Sequence, residues 1–474
     1  MTRVDLRTVP AEGTEPGDQA GGERQGPLRP VLWRLHFFTG FLAAPVVVWL
    51  CLSGILFAWN PQIESAIYDD ALTATSDGES RPVSEQVAAA SRAYPGYEVV
   101  QVSPAGSSGE TTGVLLKPPG AQAVGFAPAP GAFTVYVDPA SATVTGRIME
   151  SRRPGEWLRN LHSNFRLGTW AGTVTELAAS LALVSLATGL YLWWPRTGAA
   201  LRRSFVPRLR GLRGGGRRPW RDLHASLGVL TVAALAVMVV TGLTWTEYAG
   251  RWVDVAKAAL TAEPPALHTK LSGAAGEEGG SHGRHGAGGG SSDAAASSWD
   301  QVGRIVASAE RAGVSPPYVV SPPAQPGAAW SVAEVDNRWP IESESVAIDP
   351  DPGRVVDRLT FADNPLLEQA TTVGIGFHEG TLFGLPNQIG LTVLAAALIV
   401  IVVSGYVMWW RRRPAGAFGA PPQPRRLLRA VPVPLLGGFA LLLVLLPTLA
   451  VGFVVYLIVE RLVRRVRLVG SQAA

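Results

Sequence analysis

Cysteine is almost missing from this chain: Cys51 is the single one among 474 residues. One thiol excludes an internal disulfide, a thiolate-held iron–sulfur cluster and the Cys-x-x-Cys-His attachment of c-type haem. Cys51 reads as a small apolar packing residue. Charge is scarce as well, at 16% of residues against 47% hydrophobic. It is nearly absent from five runs, residues 31–59, 172–194, 223–245, 388–410 and 431–459, where Arg34 and Glu176 are the exceptions. A hydrocarbon core about 30 Å thick takes about 20 helical residues to cross, so the runs predict five membrane spans. Residues 1–30 lack the apolar stretch and small-residue cleavage site of a signal peptide and read as a disordered tail ahead of an uncleaved anchor. No Gly-x-Gly-x-x-Gly follows a strand-like stretch, which leaves a dinucleotide site off this chain.

Acidic residues are also missing from two short connections. PRTGAALRRSFVPRLRGLRGGGRRPWR joins runs two and three, and RRRPAGAFGAPPQPRRLLR joins runs four and five. Basic residues in short loops mark the cytoplasmic side, so both loops and the N-terminus are expected there. The net charge of +4 then reports topology, and no nucleic-acid partner is expected. Arg461, Arg464, Arg465 and Arg467 conflict with this scheme. Five crossings would put them outside, and residues 431–459 are too few for two full crossings. The side of the C-terminus stays open at this point.

What is present outside the runs is two similar segments, about 60–160 and 246–377. SEQVAAASRA (84–93) has helical spacing, and YEVVQVS, TTGVLLK and FTVYVDPASATVTGR read as strands, the last a hairpin turning at Asp138-Pro139. SSWDQVGRIVASAERAG repeats the helix and ESVAIDPDPGRVVDRL the hairpin, turning at Asp349-Pro350. The expected architecture is a membrane α-helical bundle with two extracytoplasmic α+β domains, 60–155 and 299–370. Linking pieces are 156–195 and 371–413 around runs two and four, cytoplasmic loops 196–221 and 414–430, a linker 248–298 and a tail 460–474. SGAAGEEGGSHGRHGAGGGSS in that linker is low-complexity, and its His282 and His285, like His268, read as solvated rather than metal-binding.

The chain is also doubled. His36, Gly40 and Ser53-Gly54 match His224, Gly228 and Thr241-Gly242 at identical spacing. His162, Gly168, Thr188-Gly189 and Trp193-Trp194 match His378, Gly384, Ser404-Gly405 and Trp409-Trp410 in the same way. Two units running in one direction imply a pseudo-twofold axis along the membrane normal. The small residues would admit close helix packing or a flat cofactor, and the Trp pairs fit an inner aromatic belt.

Four of the seven histidines fall on these equivalent positions. His36 and His224 begin outward runs, with Trp59 and Trp245 about 32–35 Å further along at the helical rise; His162 and His378 precede inward runs. A twofold axis would face each pair across the bundle, one near each membrane surface, as two axial ligands of a haem iron face one another. An interfacial polar residue or helix cap is the plainer reading of any one of them. Zinc fits less well, because each face offers two histidines and no cysteine. A proton relay lacks its chain of carboxylates. Arg34, Arg159, Arg166 and Arg221 stand near these histidines, as haem-propionate partners or as headgroup-facing and positive-inside residues.

The stretches WRLHFFTGFLAAP, EWLRNLHSNFRLGTWAG, TGLYLWWPR, RDLHASLGVL, GFHEGTLFGLPNQIG and SGYVMWWRRRP resemble the PepSY-associated transmembrane helix proteins of bacterial inner membranes, over most of residues 30–413. The Gly/His-rich linker departs from that pattern. The resemblance implies PepSY-like outer domains, two b haems on His36, His224, His162 and His378, and reduction of an extracytoplasmic ferric siderophore, which releases the iron. The electron donor would be a quinol or a separate reductase, and Trp299, Trp330 and Trp339 would mark a substrate platform. Two alternatives stay open: a non-redox protein whose outer domains bind a partner or protease, and a haem protein reducing copper or another metal.

Overall fold

The computed structural model describes residues 28–124, 127–194, 205, 216–260, 265–271, 299–325, 327–336, 338–341, 343–414, 418–421 and 431–472. Side chains of 459–460 and 462–472 lie outside the description, as do the expected N-terminal tail, His282 and His285, and most of both basic loops. Four helices are long and apolar enough to span a bilayer: α1 (Leu28–Ala58), α6 (Thr169–Trp193), α7 (Arg218–Leu243) and α11 (Leu385–Arg412). They form a ring in which α1 packs on α6 and α11, and α7 packs on the same two. Leu42, Leu52, Leu56, Leu230, Val237, Val393 and Val403 point outward and exposed, as lipid-facing side chains do.

Pro45 lies inside α1. Its missing N–H frees the carbonyl one turn earlier, on Phe41. The Tyr406 hydroxyl of α11 donates to that carbonyl at 3.1 Å. A polar group orphaned in the apolar bundle is thereby satisfied and becomes a cross-link between spans.

The fifth run differs from the single helix expected. It is two helices, α12 (Val433–Leu445) and α13 (Pro447–Gln472), bent by 113° at Leu446. Pro447 breaks the run because its ring clashes with the carbonyl of the preceding turn and it has no N–H to give. Along α13, Thr448 donates to Glu176 of α6 at 3.3 Å, Gly452 lies on Leu177, and Tyr456 reaches Arg34 and Phe38 near the start of α1. So α13 runs parallel to α6 and returns toward the end where α1 begins. That direction carries Arg461 and the basic positions after it to the side of the basic loops, and the conflict with the charge rule disappears.

The two outer segments are not separate domains in the structure. They share one antiparallel sheet of order β4-β3-β2-β1-β5-β6-β7-β8. Its strands are β1 (Glu98–Ser103), β2 (Thr112–Lys117), β3 (Phe133–Asp138), β4 (Thr143–Met149), β5 (Tyr318–Ser321), β6 (Trp330–Glu334), β7 (Glu344–Ile348) and β8 (Val355–Thr360). The halves join where β1 meets β5 at Val102 opposite Val320. Helices α4 (Val83–Ala93) and α9 (Val302–Arg311) lay Val87, Ala90, Val302, Ile305 and Ala309 on one continuous core with Val102, Val114, Phe133, Val320, Trp330 and Val346. Both hairpins turn where expected. At the first, the buried Asp138 carboxylate accepts from the backbone N–H of Thr75, Ser76, Ala140 and Ser141 at 2.9–3.1 Å.

Short helices connect sheet and bundle: α2 (Asn60–Ile67), α3 (Asp69–Leu72), α5 (Pro154–Asn164), α8 (Ala249–Leu260) and α10 (Leu366–Glu379). Arg153, just before α5, pairs with Glu150 and with Glu64 of α2, and donates to the Tyr136 hydroxyl of β3 at 2.7 Å. On the other half, Lys257 of α8 bridges to Glu368 of α10 at 3.0 Å.

Candidate functional site: two facing histidine pairs

All four equivalent histidines come together in pairs. At the end of the bundle away from the sheet, His36 of α1 faces His224 of α7, with ring centroids 6.1 Å apart and planes at 87°. At the sheet end, His162 of α5 faces His378 of α10, at 6.4 Å and 78°. Position at the sheet end comes from tight turns. Helix α5 ends on Phe165 in the left-handed region and α10 on Gly380, and Gly168 and Gly384, both at positive φ, start α6 and α11.

Each ring sits on a hydroxyl-glycine dyad. The Nδ1 of His36 lies 3.2 Å from Thr188 Oγ1 and 3.0 Å from the Ser185 carbonyl. For His224 the partners are Ser404 Oγ at 3.1 Å and the Ile401 carbonyl at 2.9 Å. His162 Nδ1 lies 3.0 Å from Ser53 Oγ, and His378 Nδ1 lies 2.9 Å from Thr241 Oγ1. The neighbouring glycine makes room for the ring. A Cβ at Gly189, Gly405, Gly54 or Gly242 would come within 3.0–3.7 Å of the imidazole Cε1 resting there.

These contacts settle the tautomer. A carbonyl only accepts, so Nδ1 of His36 and His224 carries the proton. Among the described residues no protein group hydrogen-bonds any of the four Nε2 atoms, and at His36 and His224 this leaves a lone pair on Nε2. At the sheet end, burial is the main cause that lowers the pKa of both His162 and His378 to about 4. Both rings are therefore neutral near pH 7. Among the described residues no group of three or more His, Cys, Asp or Glu side chains is arranged to hold a metal ion. Each pair offers two nitrogens alone.

The four arginines singled out in the sequence have protein partners. Arg34 donates to Tyr456 and the Pro421 carbonyl and lies over Phe38. Arg159 pairs with Glu156, Arg166 lies over Trp157, and Arg221 contacts Asp222. Arg159 also acts on Glu379, the neighbour of His378: burial raises the Glu379 pKa and Arg159 draws it back. The expected aromatic platform divides. Trp330 is 2% exposed and packs edge-on against Trp299 inside the sheet core, whereas Trp339 is 58% exposed. The Trp pairs divide too: Trp194 and Trp410 face outward, and Trp409 turns inward against Phe41, Tyr406 and Phe418. His268 donates its backbone N–H to Asp357.

Sequence reasoning missed the work of the hydroxyls. Its signal was the recurrence of Ser or Thr before each matched glycine, read there only as small size. It also left Glu176 unexplained. That carboxylate, fully buried in α6, accepts from the N–H of Tyr248 and Ala249 at the start of α8 and from Thr448.

Four apolar spans, a bent apolar pair and one fused α+β sheet define a multi-pass membrane protein. The model of the PepSY-associated TM region matches residues 33–412, which takes in all four spans, the sheet and the four histidines. The chain belongs to that family. No curated protein matches it.

Proposed function

We propose that this protein carries electrons across the bacterial cytoplasmic membrane through two b haems, one in each histidine pair, to a ferric chelate such as a ferric siderophore. Ring spacing carries the reading. A metal-bound imidazole nitrogen lies about 2.0–2.1 Å from the metal, with the ring centre about 1.1 Å behind it, so two imidazoles trans on one metal place their centroids about 6.3 Å apart. The pairs stand at 6.1 and 6.4 Å, with Nε2 lone pairs available. Two nitrogens do not complete a metal's coordination, and a tetrapyrrole held by His36 and His224 or by His162 and His378 would supply the rest. An internal duplication accounts for the matched dyads, and a pseudo-twofold axis through both pairs would also pass where β1 meets β5.

When bound, the haem iron supplies a one-electron Fe(III)/Fe(II) couple. The protein's own part is to hold each neutral imidazole by Nδ1 and to shield the pair within the bundle. The basic loops set orientation, with the N-terminus and the His36–His224 pair inside and the sheet outside. With no dinucleotide fingerprint on the chain, the donor is a quinol or a separate reductase. At the outer surface, one electron converts ferric to ferrous iron in the chelate, and the lower charge loosens anionic oxygen ligands. Arg159, close enough to lower the Glu379 pKa, would compensate charge at the outer site, and Arg34, Arg166 and Arg221 are further candidates for the propionates.

The test is a visible spectrum of the detergent-purified protein. A Soret band that sharpens and shifts on dithionite, then reverts faster with ferric siderophore than with cupric ion, is expected. A colourless protein would reject the reading in favour of a partner-binding membrane protein. Faster reversal by copper would move the acceptor to that metal.

A further inference from the structure

The four hydroxyl-glycine dyads share a feature that helix packing alone does not require. In each, the hydroxyl proton has a partner on its own helix. Ser53 donates to the Trp49 carbonyl at 2.8 Å, Thr188 to Val184 at 2.7 Å, Thr241 to Val237 at 2.7 Å and Ser404 to Ile401 at 2.7 Å. Ser and Thr in helix interiors commonly bond backward in this way. Here the consequence is chemical. With its proton committed, each oxygen presents lone pairs to the imidazole and accepts from Nδ1–H. The glycine beside it lets the ring edge approach the helix, so the ring stands in one orientation.

We propose that Ser53, Thr188, Thr241 and Ser404 are positioning residues that fix the Nδ1–H tautomer of the four histidines and set the electron-donating strength of Nε2. The inference rests on the haem reading above and goes beyond it by assigning roles that differ between the two ends. At the end away from the sheet, Nδ1 has a backbone carbonyl and a hydroxyl, and the carbonyl is the closer by 0.2 Å in each case: 3.0 against 3.2 Å for His36, and 2.9 against 3.1 Å for His224. At the sheet end the hydroxyl makes the well-formed bond, at 3.0 and 2.9 Å. The carbonyls of Leu50 and Met238 also act on those rings, and the hydroxyl is the partner in full hydrogen-bonding geometry with Nδ1. Removing a hydroxyl therefore leaves the first pair oriented by carbonyls and the second without its main acceptor. A hydrogen bond accepted from Nδ1–H raises the basicity of Nε2 and steadies the ferric state. Its loss shifts the midpoint potential upward.

The test compares Ser53→Ala and Thr241→Val with Ser404→Ala and Thr188→Val in the purified holoprotein. Measurements are haem content, a spectrally resolved potentiometric titration and low-temperature electron paramagnetic resonance of the ferric state. The sheet-end variants should raise the potential of one centre only, change its ferric signal, and weaken haem retention there by about tenfold, the lower bound for loss of such a partner. The other two variants should shift the opposite centre by less. Thr241→Ser, which restores the oxygen without the methyl, should return the parent potential. Four variants with parental potentials and ferric signals, both haems being present, would overturn the inference and leave the haem reading standing. A parent protein without haem would overturn the haem reading and the inference together.

Discussion

The two histidine pairs reach nearly the same ring spacing by different means. His36 and His224 lie on spanning helices, and their rings are held by carbonyls and hydroxyls of α6 and α11. The membrane-bundle packing that folds the protein also places that pair. His162 and His378 instead end short helices that leave the sheet at β4 and β8, and their rings rest chiefly on Ser53 and Thr241. Their spacing depends on the outer sheet being folded and docked, through Arg153 on one half and the Trp339 N–H to the Leu382 carbonyl, at 2.7 Å, on the other. One pair therefore answers to the bilayer and the other to the water-exposed domain, so damage can be directed at either.

The largest such effect is expected from Trp330→Ala. Truncating a large buried aromatic costs about 3–5 kcal/mol. Because one core spans both halves of the sheet, thermal melts should show the whole sheet unfolding earlier as one unit, with the sheet-end spectral component lost and the other retained. Two separate outer transitions would break the picture of a fused domain. Next comes Arg153→Ala, which leaves Glu64 and Glu150 together without their cation. Loss of one partner of a buried ion cluster costs about 3 kcal/mol or more, and somewhat less here because the cluster is partly exposed. Haem content should fall at the sheet end while secondary structure persists; equal loss at both ends would contradict a selective role. Smaller again is Asp138. Burial pushes its carboxyl pKa up, but the bonds from the N–H groups of Ser76, Ser141 and Thr75 outweigh that and hold it at about 2, against an ordinary 3.8. A lowered carboxyl pKa contributes stability that is present above the ordinary value and lost as pH falls through the lowered one. Melts between pH 5 and 2 should lose about 2 kcal/mol of sheet stability from this group. Asp138→Asn should flatten that slope, with the pair away from the sheet unaffected throughout.

Much of this was legible in the sequence. The four spans follow from uncharged runs long enough to cross hydrocarbon, and the facing of His36 with His224 and of His162 with His378 follows from matched spacing alone. Other features were hidden for physical reasons. An unbroken run of apolar residues gives no direction, so Pro447 within residues 431–459 was outweighed, although its missing N–H turns the chain back. Strand alternation shows which face is buried but not which edge pairs, so the β1–β5 junction was invisible and two domains were expected. A tryptophan in a strand-like stretch suits either core or surface, so spacing alone does not show that Trp299 and Trp330 pack inside the sheet core. Ser53, Thr188, Thr241 and Ser404 were noticed only as companions of glycine, since a hydroxyl's acceptor role depends on where its proton goes, which spacing does not record.

The most direct measurement is haem b content per chain in the purified protein and in His36→Ala, His224→Ala, His162→Ala and His378→Ala. Two per parent chain and one per variant are predicted, with the first two variants losing one spectral centre and the last two the other. A variant that keeps both haems with unchanged potentials would contradict the pairing on which the account stands.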